Sequence, residues 1–162
     1  MLLQSEIDQY ERTSKNNLRY RLVSPDCVEI FNRLNEKIAA LNLQYTNEGI
    51  YNDLWFGFVT SEEYKEIMEG AYLYYFIKAK CTKKLCNTLG LQGGMDPDTS
   101  QWFGDSLLPK LLSAGMQFNA LVIPEDIFAQ QTMEEFENNM GSNLARLFPS
   151  HNEALAWLQS VK

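Results

Sequence analysis

The side chains best suited to nucleophilic or acid–base catalysis are few and widely separated in this chain. His151 is the one histidine, so a Cys–His or Ser–His nucleophile system could use only this residue. The cysteines, Cys27, Cys81 and Cys86, form no Cys-x-x-Cys pair, and no zinc-ligand spacing surrounds His151. These residues predict idle or buried thiols and a surface histidine, with no metal site and no catalytic residue.

Paired carboxylates are the next residues that could do chemistry. Such pairs occur at Glu62-Glu63, Glu125-Asp126 and Glu134-Glu135. A glycosidase-like acid and nucleophile pair stays open in principle. All three pairs, however, fall in first turns of predicted helices, where carboxylates stabilise the positive helix end. We therefore expect these acids to serve the helices and do not predict an enzyme.

A glycine-rich stretch, "LGLQGGMDPDTSQW" from Leu89 to Trp102, resembles a phosphate-binding loop at first sight. A Walker loop needs Gly-Lys-Ser/Thr after its spacer, since the lysine reaches the phosphates. Here Gly93-Gly94 is followed by Met95-Asp96, so an anion stands near the place of the cation. The dinucleotide pattern Gly-x-Gly-x-x-Gly is not matched either. The loop therefore predicts no nucleotide and no other cofactor.

The same loop lies where ligands and partners gather in α/β proteins. It joins a short predicted strand, "KKLCNTL", to a predicted helix with Asp98 as its N-cap. The carboxyl ends of parallel strands form the usual binding crevice of such sheets. We therefore predict a partner- or ligand-binding surface at Gly93, Gly94, Asp96, Thr99, Ser100 and Trp102.

The elements that position this loop follow from hydrophobic spacing and capping signals. "LNLQYT" and "IYNDLWFGFV" predict an antiparallel hairpin, turned at Asn47-Glu48-Gly49. Thr60 and Glu63 form a capping box before the clearest helix, and Ser150 and Glu153 form another before the last. Strands and helices then alternate. The order predicts an α/β fold with a mixed, largely parallel sheet of about five strands and helices packed on it.

The first 40 residues carry weaker patterns. Ser24 and Pro25 suit a helix start, and Val28, Phe31 and Leu34 follow at helical spacing, although "CVEIF" alone also fits a strand. We predict an N-terminal extension over residues 1–40, mostly helical, and an α/β domain over residues 41–162. "PEDIFAQQ" and "TMEEFENNMG" predict one broken helix or two short ones.

Composition restricts the partners. The chain has 162 residues, a formal net charge of −7 and 45% hydrophobic residues. An acidic surface repels nucleic acids and anionic membranes, and no apolar run is long enough to span a bilayer. An odd cysteine count without a visible secretory leader predicts a cytoplasmic protein. The frequent aromatic and methionine residues favour a homodimer.

Four stretches, in this order, carry a family resemblance: "WFGFVTSEEYKE", "LGLQGGMDPDTSQWFGDSLLPKLLSAG", "ALVIPEDIFAQ" and "LFPSHNEALAWL". Together they resemble stand-alone bacterial members of the STAS-like, anti-sigma-factor-antagonist-like superfamily, over about residues 41–162. The resemblance implies a mixed sheet with helices packed on it, no cofactor and no reaction. It implies protein–protein recognition, or binding of an apolar ligand.

True antagonists of that superfamily carry a phosphorylated serine at the start of the helix after the loop. Here the loop from Gly90 to Asp96 has no hydroxyl residue. Thr99 and Ser100 are the nearest hydroxyls, so Ser100 is the candidate phospho-acceptor. The expected function is a non-enzymatic regulatory domain that acts by protein–protein recognition. The alternatives are a carrier or sensor of an apolar, lipid-like ligand and, less favoured, an enzyme of unknown type.

Overall fold

A single seven-stranded sheet organises the computed structural model, which describes residues 1–161. The strands follow one another in space in the order of the chain. Their bounds are β1 Arg19–Ser24, β2 Cys27–Phe31, β3 Lys37–Asn42, β4 Ile50–Gly57, β5 Lys83–Leu91, β6 Phe118–Val122 and β7 Ala145–Phe148. β1 to β4 form an antiparallel meander, whereas β4 to β7 are parallel.

Helices connect the parallel strands and flank them. Their bounds are α1 Gln4–Arg12, α2 Ser61–Ile67, α3 Leu73–Lys78, α4 Pro97–Trp102, α5 Leu108–Ser113, α6 Ile127–Met140 and α7 His151–Ser160. A π-helical turn, Met68–Tyr72, joins α2 to α3, and another, Phe103–Leu107, joins α4 to α5. The second turn ends two residues before Pro109, which lies in the first turn of α5, where a residue without a backbone N–H is tolerated.

Two apolar cores lie on opposite faces of the sheet. The larger joins α1 and the crossover helices to the sheet, with Ile7, Phe76 and Phe136 among its members. The smaller lies between α7 and the strands β5 to β7, where Leu158 packs with Leu85 and others. Burial of these side chains supplies the main driving force for folding.

The predicted α/β class, mixed sheet and packed helices are confirmed. The predicted number of strands and the prediction that the sheet is largely parallel are wrong. The sheet has seven strands rather than about five, and its six pairings divide equally between antiparallel and parallel. The two strands beyond the predicted five are β1 and β2, since β3 corresponds to the predicted first strand of the hairpin. β2 and most of β3 lie in residues 24–41, which were expected to be a helix, and a turn in which Asn35 has φ +62° joins them.

Local signals at helix and turn boundaries agree with the structure in most places. Thr60 and Glu63 form the predicted capping box, and the Ser150 hydroxyl accepts from Glu153 N–H. Gly49 takes the positive φ expected of the β3–β4 turn. Two local expectations are wrong. The N-cap of α4 is Asp96, because Pro97 takes the first helical position, and α6 is one continuous helix capped by Asp126.

Candidate functional site

The candidate site is the edge of the sheet at which the parallel strands end. We use "carboxyl edge" for residues 58–62, 89–98, 123–128 and 149–153, and call these segments its four loops. They comprise the connections that follow β4, β5, β6 and β7, together with the last residues of β5 and the first residues of the next helices. Gly93 N–H donates to Asp126 Oδ2 at 2.9 Å, and Met95 N–H donates to Thr132 Oγ1 at 3.0 Å. These bonds join the loop after β5 to the start of α6. The side chains of Asp126 and Thr132 therefore hold the glycine-rich stretch against α6.

Gly93 also has a steric role at this edge. Its φ is +69°, and a β-carbon on it would lie 3.0 Å from two ring carbons of Phe58. Both observations favour glycine, because the left-handed conformation is costly for other residues and the Phe58 ring fills the space. The tight turn thus brings the loop against a large exposed side chain.

Large apolar side chains are exposed along the carboxyl edge. The exposed fractions are 72% for Phe58, 43% for Leu89, 72% for Ile127 and 66% for Phe128. Phe58, Leu89 and Glu125 line a surface depression of about 310 Å³. Phe58 and Gln92 are shared with a second depression of about 190 Å³ that reaches the β2–β3 turn. The edge therefore offers a groove of mixed polar and apolar lining, with Phe58 where its two parts meet.

The predicted site residues separate into two groups. Gly94 and Asp96 are exposed at the carboxyl edge, and Gly93 is half-buried there. Thr99 and Ser100 are buried in the first turn of α4. The Thr99 hydroxyl forms a hydrogen bond with the Ser61 hydroxyl, and Ser100 Oγ donates to Pro97 O at 3.2 Å.

Trp102 is half-buried and packs on α2. Its ring packs edge-on against Tyr64, with centroids 6.1 Å apart, and Lys65 Nζ lies 5.7 Å from its centroid. The ring therefore joins α4 to α2, which is a structural contact.

A buried ion pair lies deeper in the same half of the sheet. Lys84 Nζ is 3.1 Å from Asp53 Oδ1, and the two side chains are 2% and 0% exposed. Trp55 Nε1 donates to Asp53 Oδ2 at 2.7 Å. Burial lowers the pKa of Lys84, but the neighbouring Asp53 carboxylate and Cys86 thiol together outweigh this effect, and the pKa lies above its ordinary value. The lysine is thus charged and unsuited to act as a base.

A small cavity adjoins this pair. Its volume is about 10 Å³, which approaches the space that one water molecule needs. Apolar side chains such as Met133 and Phe136 form most of its wall, and Asn119 adds a buried carbonyl oxygen. Among the described residues that oxygen has no hydrogen-bond partner. The cavity has no room for a lipid-like molecule.

The remaining candidates for chemistry have structural surroundings. His151 Nδ1 is 3.3 Å from Asn87 Nδ2, and partial burial lowers the pKa of the imidazole. Burial raises the pKa of the Cys81 thiol to about 12, so this cysteine is a poor nucleophile. Within residues 1–161, no three His, Cys, Asp or Glu side chains are grouped to hold a metal ion.

Reasoning from sequence missed the residues that distinguish the edge most clearly. Phe58, Ile127 and Phe128 were not among the predicted contacts. The available signal was the position of apolar residues just after a strand end and in a helix's first turn, where solvent is expected. The Asp53–Lys84 pair was missed as well, because only the pairing of β4 with β5 brings the two together.

Comparisons of the chain with family models, with curated proteins and with solved structures found no match. The helices within the described part of the chain are too short or too polar to cross a membrane. The functional conclusions therefore depend on the geometry and charge of the carboxyl edge.

Proposed function

We propose that this protein is a non-enzymatic regulatory domain that binds a protein partner through its carboxyl edge. The observation that carries the proposal is the exposure of Phe58, Leu89, Ile127 and Phe128 around one loop cluster. Single exposed apolar residues are ordinary, but several on one surface, rimmed by polar groups, mark an interaction site. Aromatic side chains are also the residues that anchor protein interfaces most strongly.

The rigidity of the edge supports the same proposal. The loop after β5 is held by Asp126 and Thr132 of the next crossover, so its exposed side chains are presented on an ordered frame. A preorganised surface loses less conformational entropy on binding than a mobile one. The edge therefore suits specific recognition.

We also propose that the domain is STAS-like and acts in a reducing compartment such as the cytoplasm. The helix-covered mixed sheet supports the first proposal, and the three free cysteines support the second. Phosphorylation of Ser100 stays a prediction. Because Ser100 is buried in α4, a kinase would need that helix to open first.

The second candidate function, a carrier or sensor of an apolar ligand, has less support. Its one favourable observation is the apolar cavity beside Lys84, but a volume of about 10 Å³ is far below the roughly 300 Å³ of common ligand sites. Native mass spectrometry of protein purified without detergent tests this candidate. A bound small molecule of constant mass would support it, and a bare chain mass would count against it.

The predicted homodimer stays a prediction, and the uncovered sheet face of β1 to β4 is the surface we propose for it. α7 packs mainly on β5 to β7, with Ile50 of β4 in the same cluster, and half-buried apolar side chains such as Phe31 and Phe56 lie elsewhere in the first four strands. Light scattering at micromolar concentration measures the mass directly. A mass equal to one chain would refute the dimer.

Affinity capture from the native host tests the proposed function. The baits are the unmodified chain, the edge variants Phe58→Ser and Phe128→Ser, and the control Leu112→Ser. Leu112 is an exposed apolar residue of α5, outside the edge. We expect at least one protein to be retained by the unmodified chain and by the control but lost from both edge variants. If every retained protein is held equally by all four baits, the carboxyl edge is not the recognition surface.

A further inference from the structure

The negative charge of this protein is concentrated at the carboxyl edge. The four loops contain Glu62, Asp96, Asp98, Glu125, Asp126 and Glu153 and no lysine or arginine. They therefore carry a formal charge of −6, against −7 for the whole chain. The rest of the molecule is close to neutral, so the acidity of the chain is local to this edge.

The positive ends of the helices offset only part of this negative charge. Asp126 accepts from Ala129 N–H at 3.0 Å, and Asp96 accepts from Asp98 N–H at 3.1 Å, so both cap helices. Each helix start carries roughly half a positive charge, and four helices start at this edge. Their sum is about +2, which leaves the edge strongly negative.

Several of the carboxylates are free to meet a partner. Glu62, Asp98 and Glu125 are exposed, and their side chains make no hydrogen bond or ion pair with another described residue. Glu125 lines the same depression as Phe58 and Leu89. Free negative charge and exposed apolar surface therefore meet in one groove.

We propose that the partner segment bound at this edge is a cationic amphipathic stretch of polypeptide, with apolar side chains for the groove and lysine or arginine for its rim. The inference rests on the proposed function and adds the chemistry of the partner. Opposite charges accelerate encounter and select partners. A second copy of this chain is disfavoured here, because a two-fold contact would bring two acidic edges together.

Two designed peptides test the inference directly. Both are fluorescently labelled amphipathic helices of about five turns with the same leucine face, one with lysines and one with glutamates on the polar face. Fluorescence anisotropy measures their binding to the full chain at low salt and at about 0.5 M salt, where exposed charges are screened. We expect the lysine peptide to bind, with affinity that falls as salt rises, and the glutamate peptide not to bind.

Charge-neutralising variants show which carboxylates attract the lysine peptide. Asp98→Asn combined with Glu125→Gln should weaken binding of the lysine peptide about 3- to 10-fold at low salt. The matched control, Asp8→Asn with Glu69→Gln, removes two exposed acids outside the edge and should change binding less than about twofold. Equal binding of both peptides, or equal loss in the two double variants, would overturn the inference.

The natural partner separates this inference from the proposed function. Loss of the captured protein in Phe128→Ser, but full retention in Asp98→Asn/Glu125→Gln at every salt concentration, would refute the cationic partner and leave edge recognition standing. Salt-sensitive self-association abolished by Phe128→Ser would instead show that the occupant is a second copy of the chain, and would also refute the inference.

Discussion

Lys84 and Asp53 form an ion pair inside the sheet, in neighbouring parallel strands, with Nζ and Oδ1 3.1 Å apart. Asp53 also accepts from the Trp55 indole, and the Lys84 ammonium lies 5.1 Å from the centroid of the Tyr72 ring. The pair is therefore enclosed by groups that compensate its charge. Such a pair is costly to break by removing one partner, because the other charge is left buried alone.

Replacing one partner of this pair should strongly destabilise the fold. We expect Lys84→Met to lower the free energy of unfolding by about 3–5 kcal/mol. The double variant Asp53→Leu/Lys84→Met should recover most of that loss, apart from about 1–3 kcal/mol for the Trp55 N–H left without an acceptor. Urea denaturation measures the free energy of unfolding of Lys84→Met, of the single variant Asp53→Leu and of the double variant. A double variant as unstable as the two single losses added together would contradict the account.

The exposed phenylalanines at the carboxyl edge should contribute little to stability. We expect Phe128→Ser to change the free energy of unfolding by no more than about 0.5 kcal/mol, as is usual for surface positions. Phe136 in the same helix is buried against Phe103, with centroids 5.4 Å apart, and Phe136→Ala should cost about 3–5 kcal/mol. Thermal or urea unfolding compares the free energies of unfolding of Phe128→Ser and Phe136→Ala. A large loss in Phe128→Ser would mean that this side chain serves the fold rather than recognition.

Gly93→Ala should disturb the groove without disrupting the domain. The new methyl group would displace the Phe58 ring, while the positive φ should cost about 1–2 kcal/mol. The matched control is Gly141→Ala, where φ is +87° and a β-carbon would meet nothing within 4 Å. We expect stability losses in both variants, because both need a positive φ, but weaker binding of the captured partner only in Gly93→Ala. Equal binding by both would show that the position of Phe58 is irrelevant.

Alkaline pH should destabilise the protein through its buried tyrosines. Burial is the main cause that raises the pKa of Tyr51, Tyr64 and Tyr72 well above the ordinary value. Above about pH 10 the unfolded chain releases phenolic protons that the folded chain retains, so the free energy of unfolding falls as pH rises. Urea unfolding at a series of alkaline pH values measures the slope.

Tyr72→Phe provides the control for that slope. The Tyr72 hydroxyl is buried and has no hydrogen-bond partner among the described residues, so its removal should leave neutral-pH stability unchanged or increase it by about 1–3 kcal/mol. The variant should also lose stability less steeply above about pH 10. An unchanged alkaline slope would show that Tyr72 ionises in the folded protein.

The accuracy of the sequence predictions depended on how local the determining interactions are. The capping box of Thr60 and Glu63 involves residues three apart, and the structure confirms it. The segment from Ser24 to Leu41 fits helical and strand spacing alike, and pairing with β1 and β4 decides it. Short apolar segments have this ambiguity because tertiary contacts outweigh local propensity.

The same difference between local and tertiary interactions explains which features of the candidate site could be predicted from the sequence. The location of the loop after β5 followed from strand and helix alternation alone. The burial of Ser100 and the exposure of Phe128 depend on which faces of α4 and α6 pack together, and no local pattern specifies that. The Asp53–Lys84 pair depends on a register that aligns Asp53 with Cys86 and Tyr51 with Lys84. Residues 31 positions apart cannot be paired from spacing.

Hydrogen exchange of the protein with and without its captured partner is the most direct test of recognition at the carboxyl edge. The account predicts slower amide exchange on binding in residues 89–98 and 123–128, and little change in α1 and β1. Protection confined to α1 or β1, with exchange in the two loops unchanged, would contradict it.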